Sequence, residues 1–171
     1  DEHAEECVAA RSAAGCLASI RTCAAGAAYA RCAVAGGAEP LMTGGGGGAI
    51  VTKTYRDSGR ACPGYNSMAR AKAALECGVR YLAYERGENG IRVNAISAGP
   101  VRTLASAGIA GFKDMEEIIE QRTPLRQNIQ TSDVGQAALY LCSPLSPLVT
   151  GPILYVDWGY HAMALSATRA R

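Results

Sequence analysis

The stretch AIVTKTYRDSGRACPGYNSMARAKAALECGVRYLAYERGENGIRVNAI, residues 49–96, contains a strand, a long helix and a second strand, in that order. Its two ends, 49–52 and 91–96, are short apolar runs, which is typical of buried strands. Between them, residues 64–86 carry small and apolar side chains at the spacing of a helix. These side chains are Met68, Ala71, Leu75, Val79 and Leu82. A strand–helix–strand unit of this kind predicts two parallel strands joined by a right-handed crossover.

The residues that follow extend the alternation of strands and helices. We expect a loop at 97–103 and one or two short helices within 105–122. TSDVGQAALYLCS (131–143) predicts an apolar helix that opens with the cap-type residues Thr131 and Ser132. ILYV (153–156) predicts a third strand. The expected fold is therefore of the α/β class, an incomplete doubly wound, Rossmann-like parallel sheet of about three strands flanked by helices.

The residues before this unit are rich in alanine, glycine and cysteine. Because alanine favours helix, we expect a helix over much of 8–34. The five glycines of Gly44–Gly48 then follow a helix and precede a strand. A phosphate-binding loop has the opposite order, since it follows a strand and opens a helix. The glycine run is therefore interpreted as a helix-to-strand connection.

Composition excludes several classes of protein. The chain of 171 residues has the size of one domain, and its net charge of +2 comes without the basic stripe of a nucleic-acid-binding protein. No run of about 18 apolar residues predicts a membrane span, and the acidic start DEHAEECVAA resembles neither a signal nor a transit peptide. The seven cysteines form no CxxC pair, and His3 and His161 lie far apart, so we expect no metal site and a reducing compartment.

One pair of residues on the long helix is suited to chemistry. Tyr65 and Lys72 are two helical turns apart, so both project from one face. A protonated lysine near a phenol lowers the pKa of that phenol, and the phenol can donate a hydrogen bond or a proton to a carbonyl oxygen that gains charge. The lysine could also bind the ribose hydroxyls of a dinucleotide. Tyr55 follows the first strand, and we expect it to converge with this helix face and with the loop 97–106 at the carboxyl ends of the strands.

A Tyr–Lys pair alone also fits a surface lysine beside a half-buried tyrosine, and three longer stretches favour the chemical interpretation. They are TYRDSGRACPGYNSMARAKAALE (54–76), GIRVNAISAGPVRTLASAG (90–108) and VTGPILYVDWGY (149–160). In these stretches the chain resembles the carboxy-terminal half of the NADH-dependent enoyl-acyl-carrier-protein reductases, which belong to the short-chain dehydrogenase/reductase superfamily. That family places six residues between its tyrosine and lysine, and a second tyrosine ten residues before the first, as Tyr65, Lys72 and Tyr55 are placed here.

The resemblance, which runs from about Gly47 to Leu165, implies roles for particular residues. Tyr65 would stabilise the enolate of an enoyl thioester, Lys72 would hold the nicotinamide ribose, and Tyr55 would lie beside the substrate. The residues implied to line the nicotinamide and pyrophosphate are Ala98, Gly99, Pro100, Val101 and Thr103. Those implied to border the acyl pocket are Met68, Ile109 and Phe112. Residues 104–118 would correspond to the family's mobile substrate-binding loop, which gates the site.

The resemblance also implies a cofactor, partners and a domain division. NADH would reduce an enoyl thioester carried on acyl carrier protein, in the bacterial cytoplasm or the plastid stroma. The enzyme would be a homo-oligomer, a tetramer in this family, with 149–160 near its subunit contacts. Residues 49–165 would form the carboxy-terminal half of the reductase domain. Residues 1–48 are expected to form a mostly helical segment of uncertain role, and 166–171 a tail.

The chain departs from the family at several points. Lys53 is a charge where an apolar residue is usual, and Trp158 stands where a small or polar residue is usual. The family's glycine-rich pyrophosphate turn has no counterpart in these residues, so we expect them to bind NADH weakly on their own. The strand 49–52 would then be an exposed sheet edge, which invites association with another chain.

Two alternatives stay open at this point. One is a carbonyl reductase of the same superfamily, but the Tyr65–Lys72 spacing and Tyr55 argue against it. Such enzymes rely on a serine near the end of the strand, for which Thr54 is only a loose substitute. The other is a non-catalytic remnant that acts as an assembly partner.

Overall fold

The computed structural model describes residues 26, 30–55, 59–60, 66–101 and 112–164. Within these ranges the elements are, in chain order, α1 (Ala30–Gly44), β1 (Gly48–Thr54), α2 (Asn66–Gly87), β2 (Ile91–Ala98), α3 (Phe112–Arg122), α4 (Thr131–Cys142), β3 (Ile153–Val156) and a 3-10 turn (Tyr160–Ala162). None of the described helices is both long enough and apolar enough to cross a membrane.

The three strands form one parallel sheet in the order β1–β2–β3. β1 pairs with β2 from Gly48↔Ile91 to Thr54↔Ser97. β2 pairs with β3 up to Ala98↔Val156. This confirms the predicted α/β architecture with a three-stranded parallel sheet. Because the strands are parallel, their carboxyl ends meet at one edge of the sheet.

The core lies between α2 and one face of the sheet. The predicted helical stripe is confirmed, because Ala71, Leu75, Val79 and Leu82 are all buried, while Met68 is half-buried. Val79 and Leu82 form one hydrophobic cluster with the buried strand residues Ile91, Val93 and Ala95. Side chains alternate along a strand, and Arg92 therefore points to the opposite face, where α4 contacts all three strands.

The first described helix differs from the prediction. We expected helix to end near residue 34, but α1 continues to Gly44 and includes Gly36, Gly37 and Pro40. Glycine and proline oppose helix, and packing outweighs that preference here, since Ala35 is buried in the core and Met42 packs against it. The part of the prediction that covers 8–25 and 27–29 lies outside the described residues.

The glycine run connects helix to strand, as predicted. Gly47 has φ of 127°, and a Cβ there would lie 2.6 Å from the carbonyl oxygen of Gly90. Only glycine allows this close approach between the two connections at the amino ends of β1 and β2. The run thus holds two neighbouring strands in register at the edge away from the predicted site.

Other boundaries also differ from the prediction, since β1 is Gly48–Thr54 where the sequence predicts 49–52, and α2 is Asn66–Gly87 where it predicts 64–86. β2 continues to Ala98 and so includes the start of the expected loop, because Ser97 still pairs with both neighbouring strands and Ala98 with β3. α4 ends at Cys142, and its N-cap is Gln130 and not the expected Thr131 or Ser132. The backbone N–H of Gln130 donates to the Asp133 carboxylate at 2.7 Å, which satisfies the start of the helix.

Arg92 joins the sheet to the connection between α4 and β3. Its Nη1 donates to the carbonyl oxygen of Leu141 at 2.7 Å and to Ser146 Oγ at 3.0 Å. Its Nη2 donates to the carbonyl oxygen of Ser143 at 3.3 Å. These carbonyls belong to the last turn of α4 and the residues after it, where helical partners are lacking. One guanidinium therefore replaces several backbone hydrogen bonds.

We predict that Arg92→Ala lowers the free energy of unfolding by about 2–3 kcal/mol, because it removes several charge-assisted hydrogen bonds at once. Among the described residues, the carbonyl oxygens of Leu141 and Ser143 would then keep only Ser146 as a donor. Urea denaturation followed by circular dichroism measures this loss. The matched control is Arg80→Ala, which removes an exposed arginine from α2 and should change stability by less than about 0.5 kcal/mol. Equal effects of the two variants would contradict the role given to Arg92.

Candidate active site

The carboxyl edge of the sheet collects the residues that follow each strand. Tyr55 comes directly after β1, Gly99 after β2 and Asp157 after β3. The register places Thr54 opposite Ser97, and Ala98 opposite Val156, so the three strand ends lie side by side. Ligands bind outside this edge in open α/β sheets. The edge is therefore the candidate site.

Helix α2 is fixed to the end of β1 by two side chains one turn apart. Lys72 Nζ donates to the carbonyl oxygen of Lys53 at 3.0 Å. Four residues further along the helix, the Glu76 carboxylate accepts a hydrogen bond of 2.6 Å from Thr54 Oγ1. Residues four apart lie on the same face of a helix, so both contacts hold one face of α2 against the carboxyl edge. This places Lys72, half-buried, within the candidate site.

The environment of Lys72 lowers its pKa from the usual value of 10.5. Burial is the largest cause, because removing the ammonium from water disfavours its charged form. The positive charges of Arg31 and Lys53 act in the same direction, and the negative charge of Glu76 opposes them. The ammonium has three N–H donors, and the Lys53 carbonyl takes one of them. Among the residues that the structure describes, the other two have no acceptor, so they can donate to ligand oxygens.

The loop after β2 is packed closely on the turn after β3. Gly99 N donates to the carbonyl oxygen of Val156 at 3.0 Å. A Cβ on Gly99 would lie 3.4 Å from the Cβ of Asp157, at the short limit of ordinary van der Waals contact. A glycine therefore suits this position, and it keeps the backbone of the loop close to the sheet edge.

The structure places several of the predicted site residues at this edge. Tyr55 and Met68 are half-buried, at the end of β1 and in the first turn of α2. In the cofactor set, Ala98 and Pro100 are buried, and Gly99 and Val101 are half-buried. The remaining ones, Tyr65, Thr103 and Ile109, lie outside the described residues, as does the side chain of Phe112, the first residue of α3.

Sequence reasoning missed one contact near this site. Arg60 donates from Nη2 to the carbonyl oxygen of His161 at 2.7 Å and from Nη1 to that of Met163 at 3.0 Å. The partners are about a hundred residues away along the chain, and backbone carbonyls carry no signal in a sequence. The one signal in the sequence is the position of Arg60, midway between Tyr55 and Tyr65.

Comparison with known proteins matches this arrangement to one family. The family model described as Enoyl-(Acyl carrier protein) reductase matches residues 9–161. The chain belongs to this family. The match begins upstream of Gly47, where the resemblance in the motifs begins, so the alanine-rich residues from 9 onward are also part of the family's sequence.

Curated relatives in the family include two bacterial proteins named enoyl-[acyl-carrier-protein] reductase [NADH] FabI. The protein of Nostoc sp. is 51% identical over 132 residues, which are 77% of this chain and 50% of the relative. That of Rickettsia prowazekii is 54% identical over 129 residues, 75% of this chain and 49% of the relative. The chain thus spans about half the length of the curated relatives it matches.

Solved structures of the family have the same fold. The Bacillus cereus enoyl-acyl carrier protein reductase, solved with NADP+ and indole naphthyridinone, has a TM-score of 0.78 and 46% identity, over 81% of this chain and 53% of that one. The Anaplasma phagocytophilum reductase, solved in complex with NAD, has a TM-score of 0.80 and 39% identity, over 96% of this chain and 58% of that one. The Rossmann-like fold class predicted from the sequence is therefore confirmed.

We predict that the pKa of Lys72 lies below 10.5 and responds to its charged neighbours. Lys53→Met should raise this pKa, because it removes a positive charge, and Glu76→Gln should lower it further. Titration of the lysine side-chain carbons by NMR, with the Lys72 signal assigned through Lys72→Met, measures each value. A pKa of Lys72 at or above 10.5, or no response to Lys53→Met, would contradict the described environment.

The same lowered pKa predicts how stability depends on pH. Between the folded pKa of Lys72 and 10.5, the unfolded chain binds a proton that the folded chain does not. The contribution of Lys72 to the free energy of unfolding therefore rises with pH across that interval. Urea denaturation at several pH values should show this rise in the wild type and a smaller one in Lys72→Met.

Proposed function

We propose that this chain carries the substrate-side active site of an NADH-dependent enoyl-acyl-carrier-protein reductase of fatty acid biosynthesis. The observation that carries the proposal is the attachment of α2 to the end of β1, with Lys72 bonded to the Lys53 carbonyl. In a chain of this family, Lys72 then lies at the same sheet edge as Tyr55 and residues 98–101, which are the end of β2 and the loop after it.

The residues at this edge fit the nicotinamide end of the cofactor. Lys72 retains N–H donors that suit the two hydroxyls of a ribose. Ala98 and Gly99 present little or no side chain, so the backbone after β2 can approach a planar ring closely. When bound, NADH supplies the hydride that adds to the β-carbon of the enoyl thioester.

Residues of the protein are proposed to stabilise the negative charge that this addition places on the substrate. As the β-carbon gains the hydride, the electron pair of the double bond moves toward the thioester carbonyl oxygen, and an enolate forms. Tyr65 is proposed to donate a hydrogen bond to that oxygen, which lowers the energy of the enolate before its α-carbon takes a proton. Lys72 is proposed to hold the ribose, and Tyr55, with Met68, Ile109 and Phe112, to border the acyl group.

The remaining partners are also proposals. The substrate is an enoyl thioester on acyl carrier protein, as the names of the relatives indicate for those proteins. A homo-oligomer, a tetramer as the resemblance implies, is supported by large apolar side chains exposed on α1 and α2. These include Val34, Leu41, Tyr81 and Tyr84. The compartment is the bacterial cytoplasm or the plastid stroma.

The structure disfavours the carbonyl-reductase alternative. That chemistry needs a strand-end hydroxyl that donates to the substrate carbonyl, and Thr54 is the residue near that position. Thr54 is 2% exposed, and its hydroxyl proton is directed at the Glu76 carboxylate. It is therefore unsuited to donate to a substrate carbonyl.

The test joins this chain to the rest of the family's domain, because the chain spans about half the length of its relatives. In a chimera, the 132 residues of this chain that match the Nostoc sp. relative replace their counterparts in it, and loss of NADH absorbance is followed with a short enoyl thioester. We expect turnover, and about a 100-fold loss of kcat in Tyr65→Phe, which removes the donor to the enolate oxygen. Lys72→Met should chiefly raise the KM for NADH.

Tyr140→Phe is the matched control, since Tyr140 is an exposed tyrosine on α4, away from the proposed site residues, and its kcat should stay within about twofold of the wild type. A chimera that is folded and binds NADH, but gives no turnover, would refute the proposed function and favour the non-catalytic remnant. Turnover that Tyr65→Phe leaves unchanged would refute the role of Tyr65.

A further inference from the structure

A single arginine connects two distant parts of the carboxyl edge. Arg60 lies between β1 and α2, and its guanidinium donates to the carbonyl oxygens of His161 and Met163 at 2.7 and 3.0 Å. The two carbonyls belong to the short turn that follows β3. A planar guanidinium has two parallel donors, so it can hold both carbonyls at once.

The turn that Arg60 holds is internally fixed. Asp157 is buried, and its carboxylate accepts hydrogen bonds from the backbone N–H groups of Gly159 at 3.1 Å and His161 at 2.8 Å. His161 Nδ1 also lies 2.9 Å from Asp157 Oδ1. The imidazole ring stacks on Tyr155, with the ring centroids 4.1 Å apart. Arg60 is therefore bonded to a structured element attached to the end of β3.

Arg60 lies in the part of the sequence that carries the two proposed active-site tyrosines. It lies five residues after Tyr55 and five before Tyr65. On its other side, the turn is packed against Gly99 through Asp157. The contact thus spans from the segment that carries both tyrosines to the loop that is proposed to line the nicotinamide.

We propose that Arg60 is a positioning residue, which ties the segment from Tyr55 to Tyr65 to the turn after β3 and thereby holds the tyrosines in place relative to the loop 98–101. This inference rests on the proposed function. Ordering one residue within a connection reduces the number of conformations that the connection can adopt between its ends. Hydride transfer depends steeply on the relative placement of donor and acceptor, so loss of the tie should slow chemistry more than binding.

The first measurement tests the hydrogen bonds between Arg60 and the turn after β3. It uses this chain and needs no enzyme activity. Trp158 is the only tryptophan of the sequence and lies in the turn. Its indole N–H is buried and has no partner among the described residues. Arg60→Ala should increase acrylamide quenching of Trp158 about twofold and speed amide hydrogen exchange of the peptide 54–66 about fivefold. Arg60→Lys, which has no fork of donors, should fall between, and Arg80→Ala should match the wild type.

The second measurement examines positioning, in the active chimera. Arg60→Ala should lower kcat about tenfold and leave the KM for NADH within twofold, and Arg60→Lys should recover part of the loss. A residue that only stabilises the fold would lower the amount of folded enzyme and leave kcat per folded molecule unchanged.

The outcomes separate this inference from the proposed function. If amide hydrogen exchange and Trp158 quenching in Arg60→Ala equal those of the wild type, Arg60 does not hold the connection to the turn after β3. A faster exchange with an unchanged kcat overturns the positioning role. A wild-type chimera without turnover refutes the proposed function, and with it the positioning role of Arg60. This holds whatever the exchange and quenching measurements show. The expected set is faster exchange, greater quenching and a lower kcat in Arg60→Ala, smaller changes of the same kind in Arg60→Lys, and exchange and quenching equal to the wild type in Arg80→Ala.

Discussion

The contact between helix α2 and the end of β1 is the constraint on which the rest of the site depends. Lys72 reaches the Lys53 carbonyl, and Thr54 reaches the Glu76 carboxylate. Each contact pairs a helix side chain with the last residues of the strand. Together they fix the rotation of α2 about its own axis and its position along the direction of the strands. Without them the apolar stripe of α2 would still pack, but Lys72 would not be held at the carboxyl edge. The lowered pKa of Lys72 follows from this placement, because the helix carries an ammonium into a half-buried position near two further cations.

The other contacts hold the remaining parts of the edge against this fixed helix. Gly47 and Gly90 bring the amino ends of β1 and β2 together, and Arg92 secures the connection that leads into β3. At the carboxyl edge, Gly99 lies against Asp157, and Arg60 bonds the turn after β3 to the segment between the two tyrosines. Backbone groups make up much of this arrangement. It can therefore persist through many changes of side chain, which agrees with a similar fold at 39% identity over 96% of the chain.

The sequence predicts the periodic parts of this protein well, because burial imposes a period. The α2 stripe of Ala71, Leu75 and Val79, the three parallel strands and the placement of Tyr55 beyond β1 all follow from the pattern of apolar residues and the rules for parallel sheets. It fails where tertiary packing overrides local preference. α1 continues through Gly36 and Pro40 because Ala35 and Met42, on either side of the glycines, pack on the core, and β2 runs into an expected loop because its neighbours still pair with it there. The long-range contacts of Arg60 and Arg92 could not be predicted, since their acceptors are mostly backbone carbonyls, which look the same at every position.

The central claim is that Lys72 and Tyr65 act on the two reactants at one sheet edge. The most direct measurement is a crystal structure of the chimera with NAD and an unreactive enoyl thioester analogue. The account predicts Lys72 Nζ within about 3 Å of a ribose hydroxyl, while it keeps its bond to the Lys53 carbonyl, and Tyr65 Oη at a similar distance from the thioester carbonyl oxygen. A ribose bound away from Lys72, or a carbonyl oxygen held by some other donor with Tyr65 directed elsewhere, would contradict it.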